Sequence, residues 1–252
     1  MDAEEVEHYL ERIGFDRPIT ADHETLAALQ LAHLRAAPFE NLDVVAGESM
    51  AVEEGWSIPK VVGRRRGGWC FELNGAFAAL LEATGFDVDR LPALVFMGGD
   101  NPSPMDDHLC LRVHLDRPWL VDVGFGDSFT QPLALDRGEP VDDTLAGRRF
   151  RLTTGVDRHT LWSEHDGEWR RDYEFATTPV DLAHFEPAAR FLSTEPGLPW
   201  AEKRFLTRLT ETGRVTLLEK RLRIVSDGEI DEVEVESEEQ WRALAREWFG
   251  HG

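Results

Sequence analysis

The sequence contains no long apolar run and no basic leader. No apolar stretch reaches the roughly 18 residues that a transmembrane helix requires. The first five residues, MDAEE, are acidic, whereas a secretory signal begins with positive charge. We therefore expect neither a membrane-spanning nor a secreted protein, and the sequence predicts a cytoplasmic location without a membrane partner.

Positive charge is scarce. The 252-residue chain has 27 Lys and Arg against 48 Asp and Glu, which gives a formal net charge of −21, and only three of its cations are lysines. Nucleic acids are bound through cationic surfaces that neutralise backbone phosphates, so this composition excludes them as partners. We interpret the acidic, lysine-poor composition as a halophilic adaptation to a salt-rich cytoplasm. An ordinary soluble acidic enzyme is the alternative.

Cysteine is also rare. Cys70 and Cys110 are expected to be reduced, because a chain of this length without a secretory signal is not typical of a disulfide-stabilised protein. Neither the cysteines nor the nine histidines show the spacing of zinc ligands, and no metal is expected. Cys110 lies in the alternating run HLCLRV at 108–113, which indicates a small buried thiol in a strand.

The first third of the chain has a helical pattern. Residues 1 to about 85 carry apolar side chains at three- and four-residue spacing. Gly14 and Pro38 mark the ends of two predicted helices. A third helix is predicted to begin near Cys70 and to end at Gly85.

From about residue 90 the pattern changes to short apolar or alternating runs separated by Gly, Pro and Asp, which predict strands. The predicted strands lie at 91–97, 108–115, 119–125, 160–164, 169–173, 203–210, 214–225 and 231–235. A short helix is predicted at 181–193 and a closing helix through Trp241 and Trp248. Helices that come first and strands that follow indicate an α+β fold rather than an alternating βαβ sheet.

Cys70 has the setting of a reactive cysteine. It follows Gly67 and Gly68, which allow a tight turn and a close approach of the backbone to a ligand. At the predicted start of a helix, the dipole and the free N–H groups favour a thiolate and offer donors to an oxyanion. A small residue packed beneath a tight turn is the alternative interpretation.

A cysteine nucleophile needs a base, and the base needs an orienting group. His108 begins one predicted strand, and Asp122 lies 14 residues later in the next. If these strands are antiparallel neighbours joined by the turn at 116–118, the two side chains come close together. An aspartate in an apolar strand is costly unless it is paired. From the residues alone, an aspartate bonded to local backbone remains the alternative.

Four segments in register resemble the arylamine N-acetyltransferase family. Residues 66–74, RGGWCFELN, are similar to its nucleophile motif, and residues 38–42, PFENL, to its upstream signature. Residues 108–113, HLCLRV, and 121–126, VDVGFG, resemble its His and Asp segments in the family's order and separation. The resemblance covers residues 38–126 and becomes faint beyond about 190.

This resemblance implies an α+β fold with a papain-like cysteine-enzyme core in three parts. An N-terminal helical lobe, residues 1–86, would carry the nucleophile. A central β-barrel lobe, residues 87–190, would carry the His and Asp, and residues 191–252 would form a C-terminal α/β lid.

The resemblance also implies a catalytic triad of Cys70, His108 and Asp122 that works by a ping-pong mechanism. Cys70 would take an acetyl group from acetyl-coenzyme A, the donor substrate, and pass it to an arylamine, arylhydrazine or similar small amine. His108 would move the protons, and Asp122 would hold the imidazole in its productive tautomer. Coenzyme A and the amine are the expected partners of a chain that is a monomer or a homodimer.

Supporting roles follow from the same resemblance. Arg66 and Glu40 are similar to a buried pair that ties the first helices to the nucleophile loop. Phe39, Trp69 and Phe125 are expected to form an aromatic slot for the arylamine face, with plain core packing as the alternative.

The loop after Asp122 is expected to leave room for the donor. Gly124 and Gly126 would keep it low enough beside the thiol for the pantetheine arm of coenzyme A. Asp107 departs from the family, which has a hydroxyl residue before the histidine. Its carboxylate would either raise the pKa of His108 or face solvent.

Other functions share the same residues. An amide synthase or a papain-like amide hydrolase would use this triad on a different acyl donor. A scaffold protein without activity is disfavoured, because all three triad residues are present.

We predict that the melting temperature is higher in molar KCl than in dilute buffer. Salt at 1 M shortens the screening length to about 3 Å, which removes most of the repulsion among the carboxylates. Thermal unfolding followed by circular dichroism over a KCl series measures the effect. A melting temperature that does not change across the series would contradict the halophilic interpretation.

Overall fold

The computed structural model describes residues 1–48, 50–96, 101–195 and 197–251. Within these ranges there are eight α-helices: α1 Ala3–Ile13, α2 His23–Ala36, α3 Leu42–Val45, α4 Glu54–Ile58, α5 Cys70–Ala83, α6 Glu186–Thr194, α7 Pro199–Glu202 and α8 Glu238–Phe249. A π-helical turn, Pro59–Gly63, follows α4, and a 3₁₀ turn, Leu182–Phe185, precedes α6. No helix in the described ranges combines the length and apolarity needed to cross a membrane.

The same ranges contain thirteen strands: β1 Phe39–Glu40, β2 Asp87–Val95, β3 His108–His114, β4 Pro118–Val121, β5 Leu133–Ala134, β6 Val141–Asp143, β7 Arg148–Thr154, β8 Arg158–His165, β9 Glu168–Ala176, β10 Phe205–Leu209, β11 Gly213–Leu218, β12 Arg221–Ser226 and β13 Glu229–Glu234. They form an eight-stranded sheet in the order β5-β4-β3-β2-β9-β8-β7-β6 and a five-stranded sheet in the order β1-β10-β11-β12-β13. The paired strands are antiparallel. Helices packed with separate antiparallel sheets confirm the predicted α+β fold.

Helix α5 is the centre of the helical part. Every residue from Cys70 to Leu81 is buried, most of them are apolar, and a helix that is buried on all sides lies inside a core. The Glu72 carboxylate accepts a hydrogen bond from the backbone N–H of Trp69 at 3.2 Å, which satisfies a donor at the start of the helix. Gly85 follows the last turn with φ of +94°. The predicted helix from Cys70 to the stop at Gly85 is confirmed.

The eight-stranded sheet curls around its own core. Phe129, Phe150, Tyr173 and Phe175 are buried in a cluster that draws on seven of its strands or the loops beside them. Thr130, near the β5 edge, donates its backbone N–H and its hydroxyl to the Asp143 carboxylate on β6. These bonds bring the two edges of the sheet together, so the sheet is a nearly closed barrel.

The five-stranded sheet joins the two ends of the chain. β1 comes from the N-terminal part and pairs with β10, with Phe39 opposite Thr207. Helix α8 covers one face of the sheet and contributes Trp241 and Phe249 to a third core cluster. The division of the chain into lobes at 86/87 and 190/191 stays a prediction.

Several predicted strands differ from the structure. The strand predicted at 119–125 ends at Val121, because the next N–H groups are bonded by side chains instead of a strand. The strand predicted at 214–225 is two strands, β11 and β12, separated by the turn at 219–220. The strand predicted at 91–97 begins at Asp87 and ends at Val95, and Met97 lies outside the described residues.

We expect buried His33 to make the fold acid-sensitive. His33 on α2 accepts or donates a hydrogen bond with the Tyr9 hydroxyl at 3.0 Å, and burial together with the nearby Arg12 charge lowers its pKa to about 3. The unfolded chain, with an ordinary histidine pKa near 6.5, therefore takes up the proton first as the pH falls. The stability that His33 contributes is complete above about pH 6.5 and declines toward pH 3, by roughly 1.4 kcal/mol between pH 7.5 and 5.5.

Urea unfolding of the wild type and His33→Gln at the two pH values measures this effect. The variant should lose less unfolding free energy on acidification than the wild type. His8→Gln, at an exposed position on α1, is the matched control and should behave like the wild type. Equal losses in the wild type and His33→Gln would contradict the assignment.

Candidate active site

The turn before Cys70 needs glycine for steric reasons. A Cβ on Gly67 would lie 2.0 Å from the carbonyl oxygen of Pro38, and a Cβ on Gly68 would lie 2.5 Å from a carboxylate oxygen of Glu72. The Gly68 N–H donates to the Pro38 carbonyl at 3.2 Å. The turn is therefore pressed against the Pro38 segment, and it delivers Cys70 to the first position of α5.

Buried charges hold this turn in place. Arg66 donates to Glu40 at 2.8 Å and to Asp43 at 2.7 Å, so the predicted Arg66–Glu40 pair is present. Lys60, which is 1% exposed, contacts Asp43 at 2.8 Å and Glu72 at 2.9 Å. Burial would raise the pKa of the Glu40 carboxyl, but a hydrogen bond from His251 and the charges of Lys60 and Arg66 hold it at about 2.

This network connects β1, α3 and the π-helical turn to the N-terminus of α5 through Glu72. Lys60 and Asp43 were not predicted from the sequence, because no local pattern marks residues 17 positions apart as partners. The sequence signal that was available is a lysine between Pro59 and Val61, in a chain with only three lysines.

His108 and Asp122 form a buried pair. Nε2 of His108 lies 2.7 Å from Oδ2 of Asp122, and both side chains are buried. Asp122 accepts three further hydrogen bonds, which come from the Tyr173 hydroxyl at 3.0 Å, the Asn74 amide at 2.9 Å and the Gly124 N–H at 2.8 Å. A carboxylate with four donors can remain charged away from water.

The imidazole also interacts with the thiol of Cys70, and this interaction contributes to raising the pKa of His108. Since Nε2 is bonded to Asp122, the nitrogen that faces the sulfur is Nδ1. Burial would lower the pKa of His108, but the Asp122 carboxylate and the interaction with Cys70 raise it to about 10. An imidazolium beside the sulfur favours the thiolate, which is the nucleophilic form of cysteine.

Asp107 is turned toward the backbone. Its carboxylate accepts the Val95 N–H at 3.0 Å, and its carbonyl oxygen lies 3.8 Å from the Cys70 sulfur. Burial raises the pKa of Asp107, against the hydrogen bond from Val95 and the charge of His108. The side chain is half-buried and bonded to the protein, so the interpretation that it simply faces solvent is wrong.

The loop after Asp122 lies directly against the nucleophile. A Cβ on Gly124 would lie 2.7 Å from the Cα of Cys70, so any side chain there would push the loop away. Gly126 has φ of +88°, and a Cβ there would lie 3.0 Å from the ring of Phe39. Both glycines are required by the close approach of this loop to the residues around the thiol.

Two of the three predicted aromatic side chains, Phe39 and Trp69, pack against Trp200, and the third, Phe125, packs against His108. Phe39 packs against Trp200 at 5.2 Å between ring centroids, and Phe125 packs against His108 at 5.1 Å. Trp69 is 2% exposed and stacks parallel to Trp200 at 6.1 Å. Trp69 is therefore part of the core, and its buried ring packs against the ring of Trp200.

Further residues of the site were not found from the sequence. They are Asn41, Asn74, Tyr173, Trp200 and Phe205. Asn74 was noted as part of the nucleophile motif without a role, and its amide bridges Asp122 to the Leu109 carbonyl. Tyr173 and Trp200 lie about 100 or more positions from Cys70, so only the folded chain brings them to it. The described residues contain no group of three or more His, Cys, Asp or Glu side chains that could hold a metal.

Comparisons with known proteins identify related chains of similar length. A family model described as N-acetyltransferase matches residues 22–251. The chain is 37% identical to arylamine N-acetyltransferase of Mycolicibacterium smegmatis, over 92% of this chain and 86% of that protein. It is 30% identical to arylamine N-acetyltransferase 1 of Homo sapiens, over 97% of this chain and 93% of that protein.

Solved structures have the same fold. The arylamine N-acetyltransferase of Salmonella typhimurium superposes with a TM-score of 0.93 at 27% identity, covering 100% of this chain and 92% of that one. The enzyme of Mycobacterium marinum in complex with CoA superposes with a TM-score of 0.89 at 28% identity, covering 98% of this chain and 92% of that one.

We expect Asp122→Asn to slow the alkylation of Cys70 by iodoacetamide at pH 7 by about 10-fold or more. Without the carboxylate charge, the imidazolium that favours the thiolate is no longer stabilised. Asp172→Asn is the matched control, because this carboxylate lies on β9 next to Tyr173 but accepts its hydrogen bond from Ser163, at 2.6 Å, and not from a triad residue. Equal alkylation rates in the wild type and Asp122→Asn would contradict the pairing.

Proposed function

The chain belongs to the arylamine N-acetyltransferase family, and on this premise we propose that Cys70, His108 and Asp122 transfer an acetyl group from acetyl-coenzyme A to an aromatic amine or hydrazine. The observation that carries the proposal is the convergence of three buried groups from α5, β3 and the loop after β4. The His108 imidazole lies 2.7 Å from the Asp122 carboxylate, and its interactions with Asp122 and Cys70 raise its pKa. This is the arrangement that an activated thiol nucleophile requires.

In the first half of the reaction, the Cys70 thiolate attacks the thioester carbonyl. The negative charge that develops on the carbonyl oxygen faces the backbone N–H groups at the start of α5. The bond to sulfur of coenzyme A breaks, and the His108 imidazolium gives its proton to the leaving thiolate. The products are acetyl-Cys70, neutral His108 and free coenzyme A.

In the second half, the amine nitrogen attacks the acetyl carbonyl. Neutral His108 takes the proton that the nitrogen loses, and the bond to the Cys70 sulfur breaks. The amide leaves, and the thiolate and imidazolium are restored. Asp122 stays charged throughout and holds the ring with Nδ1 toward the sulfur.

The aromatic side chains support the choice of acceptor. Phe39, Trp200 and Phe125 surround the approach to the thiol, and each is partly exposed. Flat apolar walls of this kind bind the face of an aryl ring and exclude water, which would otherwise hydrolyse the acetyl-enzyme. An amide synthase or an amide hydrolase is not favoured, since the related proteins are arylamine N-acetyltransferases.

The environment of the enzyme is part of the proposal. We infer that the enzyme works in a salt-rich cytoplasm as a monomer or homodimer. We also infer that Gly124 and Gly126 leave room for the pantetheine arm of coenzyme A beside the thiol. The net charge of −21 supports the salt adaptation. The helical part, residues 1–86, and the barrel part, residues 87–190, each supply triad residues, while residues 191–252 act as the lid.

The test is the release of free coenzyme A from acetyl-coenzyme A in molar KCl, with and without an aniline or hydrazine acceptor. The wild type should release coenzyme A continuously only when the acceptor is present, and Cys70→Ala should abolish the release. Cys110→Ala, which removes the other buried thiol, is the matched control and should remain active.

Wild-type protein that releases no coenzyme A, although Cys70 reacts rapidly with iodoacetamide, would contradict the proposed donor. The triad would then act on a different acyl donor. Full activity in Cys70→Ala would contradict the nucleophile itself.

A further inference from the structure

The segment from Asp122 to Asp127 covers the nucleophile but has little structure of its own. It lies between β4 and β5 and contains Gly124 and Gly126, which give the backbone more conformational freedom than other residues would. It nevertheless approaches the Cα of Cys70 and the ring of Phe39 closely. Groups outside the segment must therefore hold it at this height.

The first half of the segment is fastened to the triad and to α5. The Val123 N–H donates to the Asn74 side chain at 2.9 Å, and the Gly124 N–H donates to Asp122 at 2.8 Å. These two bonds fix the backbone as far as Gly124. They do not reach Gly126, which has a left-handed backbone conformation beside the ring of Phe39.

The second half is fastened by Arg214, which comes from β11 of the five-stranded sheet. Arg214 is buried, and its Nη1 donates to the carbonyl oxygen of Gly126. Its Nε lies 3.1 Å from the Asp127 carboxylate. One rigid guanidinium therefore binds a backbone oxygen and a side chain of the loop at the same time.

The charge of Asp127 does not by itself explain why Arg214 is buried against this loop. Arg148 on β7 already donates to the Asp127 carbonyl at 2.6 Å and to its carboxylate at 3.1 Å. The contact that Arg148 does not make is the one to Gly126. Burying a second arginine is costly unless its hydrogen bonds serve a specific geometry.

We infer that Arg214 is a positioning residue for acyl transfer from the thioester. By holding the Gly126 carbonyl, it sets the height of the loop above Cys70 and so the width of the space that the donor's pantetheine arm enters. The inference rests on the proposed function, and it assigns the five-stranded sheet a part in the first half of the reaction. The triad itself is fastened independently by Asn74 and Tyr173.

Arg214→Gln should therefore separate two properties of the same thiol. Acylation of Cys70 by acetyl-coenzyme A is measured as the burst of free coenzyme A after rapid mixing. Its rate should fall by about 10- to 100-fold, because a shift of the donor by about one ångström reduces the rate of such a reaction by this factor. Alkylation of Cys70 by iodoacetamide should stay within about two-fold of the wild type across the pH range, because the small reagent does not need the path. Arg214→Lys should recover part of the acylation rate, because one ammonium can hold the Gly126 carbonyl.

The matched control is Arg223→Gln. Arg223 lies on the neighbouring strand β12, opposite Thr216, and its charge lowers the pKa of Asp127 after those of Arg214 and Arg148. Its guanidinium pairs with Glu232 at 3.6 Å. The Arg223→Gln variant therefore tests the loss of a positive charge near the loop. The rate at which acetyl-coenzyme A acylates Cys70 in this variant should match that of the wild type.

Acylation within about two-fold of the wild type in Arg214→Gln would overturn the inference. So would a parallel fall of acylation and alkylation in both Arg214 variants, since this would mean that the triad, not the approach path, had been damaged. A wild type that is not acylated by acetyl-coenzyme A would instead overturn the proposed function, and the inference with it.

Discussion

The buried carboxylate of Asp122 is the constraint on which the site depends. A charge removed from water is tolerated only if every acceptor position is used, and Asp122 has four donors. Those donors come from β3, from β9, from α5 and from its own loop. Satisfying one carboxylate therefore fixes the helix that carries the nucleophile, the strand that carries the base and the loop after β4 in a single geometry.

A second network of buried charges, whose members also require partners, lies at the start of α5. Glu72 is buried beside Lys60 and caps the Trp69 N–H, while Arg66 bridges Glu40 and Asp43. Breaking one member of such a network leaves a charge without a partner in the core. The network thus gives the Gly67–Gly68 turn a defined position, and that position places Cys70 where the imidazole can reach it.

The five-stranded sheet completes the site from outside the helical and barrel parts. Asn41 donates to the Trp200 and Lys203 carbonyls and accepts the Phe205 N–H, so it orders the segment that carries Trp200. Arg214 reaches the opposite wall through Gly126. Both contacts join residues more than 80 positions apart, and they show how a region with few reactive side chains positions Trp200 and the loop that lies against Cys70.

The sequence by itself determined the helix that begins at Cys70, the strands that became β8 and β9, the α+β class and the candidate triad, because these depend on local periodicity and on short motifs. It did not determine that Trp69 is a core residue, that the strand before Asp122 stops at Val121, or that Tyr173 and Arg214 reach the loop. These depend on which distant backbone and side-chain groups satisfy one another's hydrogen bonds. Only the tertiary structure decides that pairing, because a polar group's partner is set by proximity in space and leaves no mark in the neighbouring sequence.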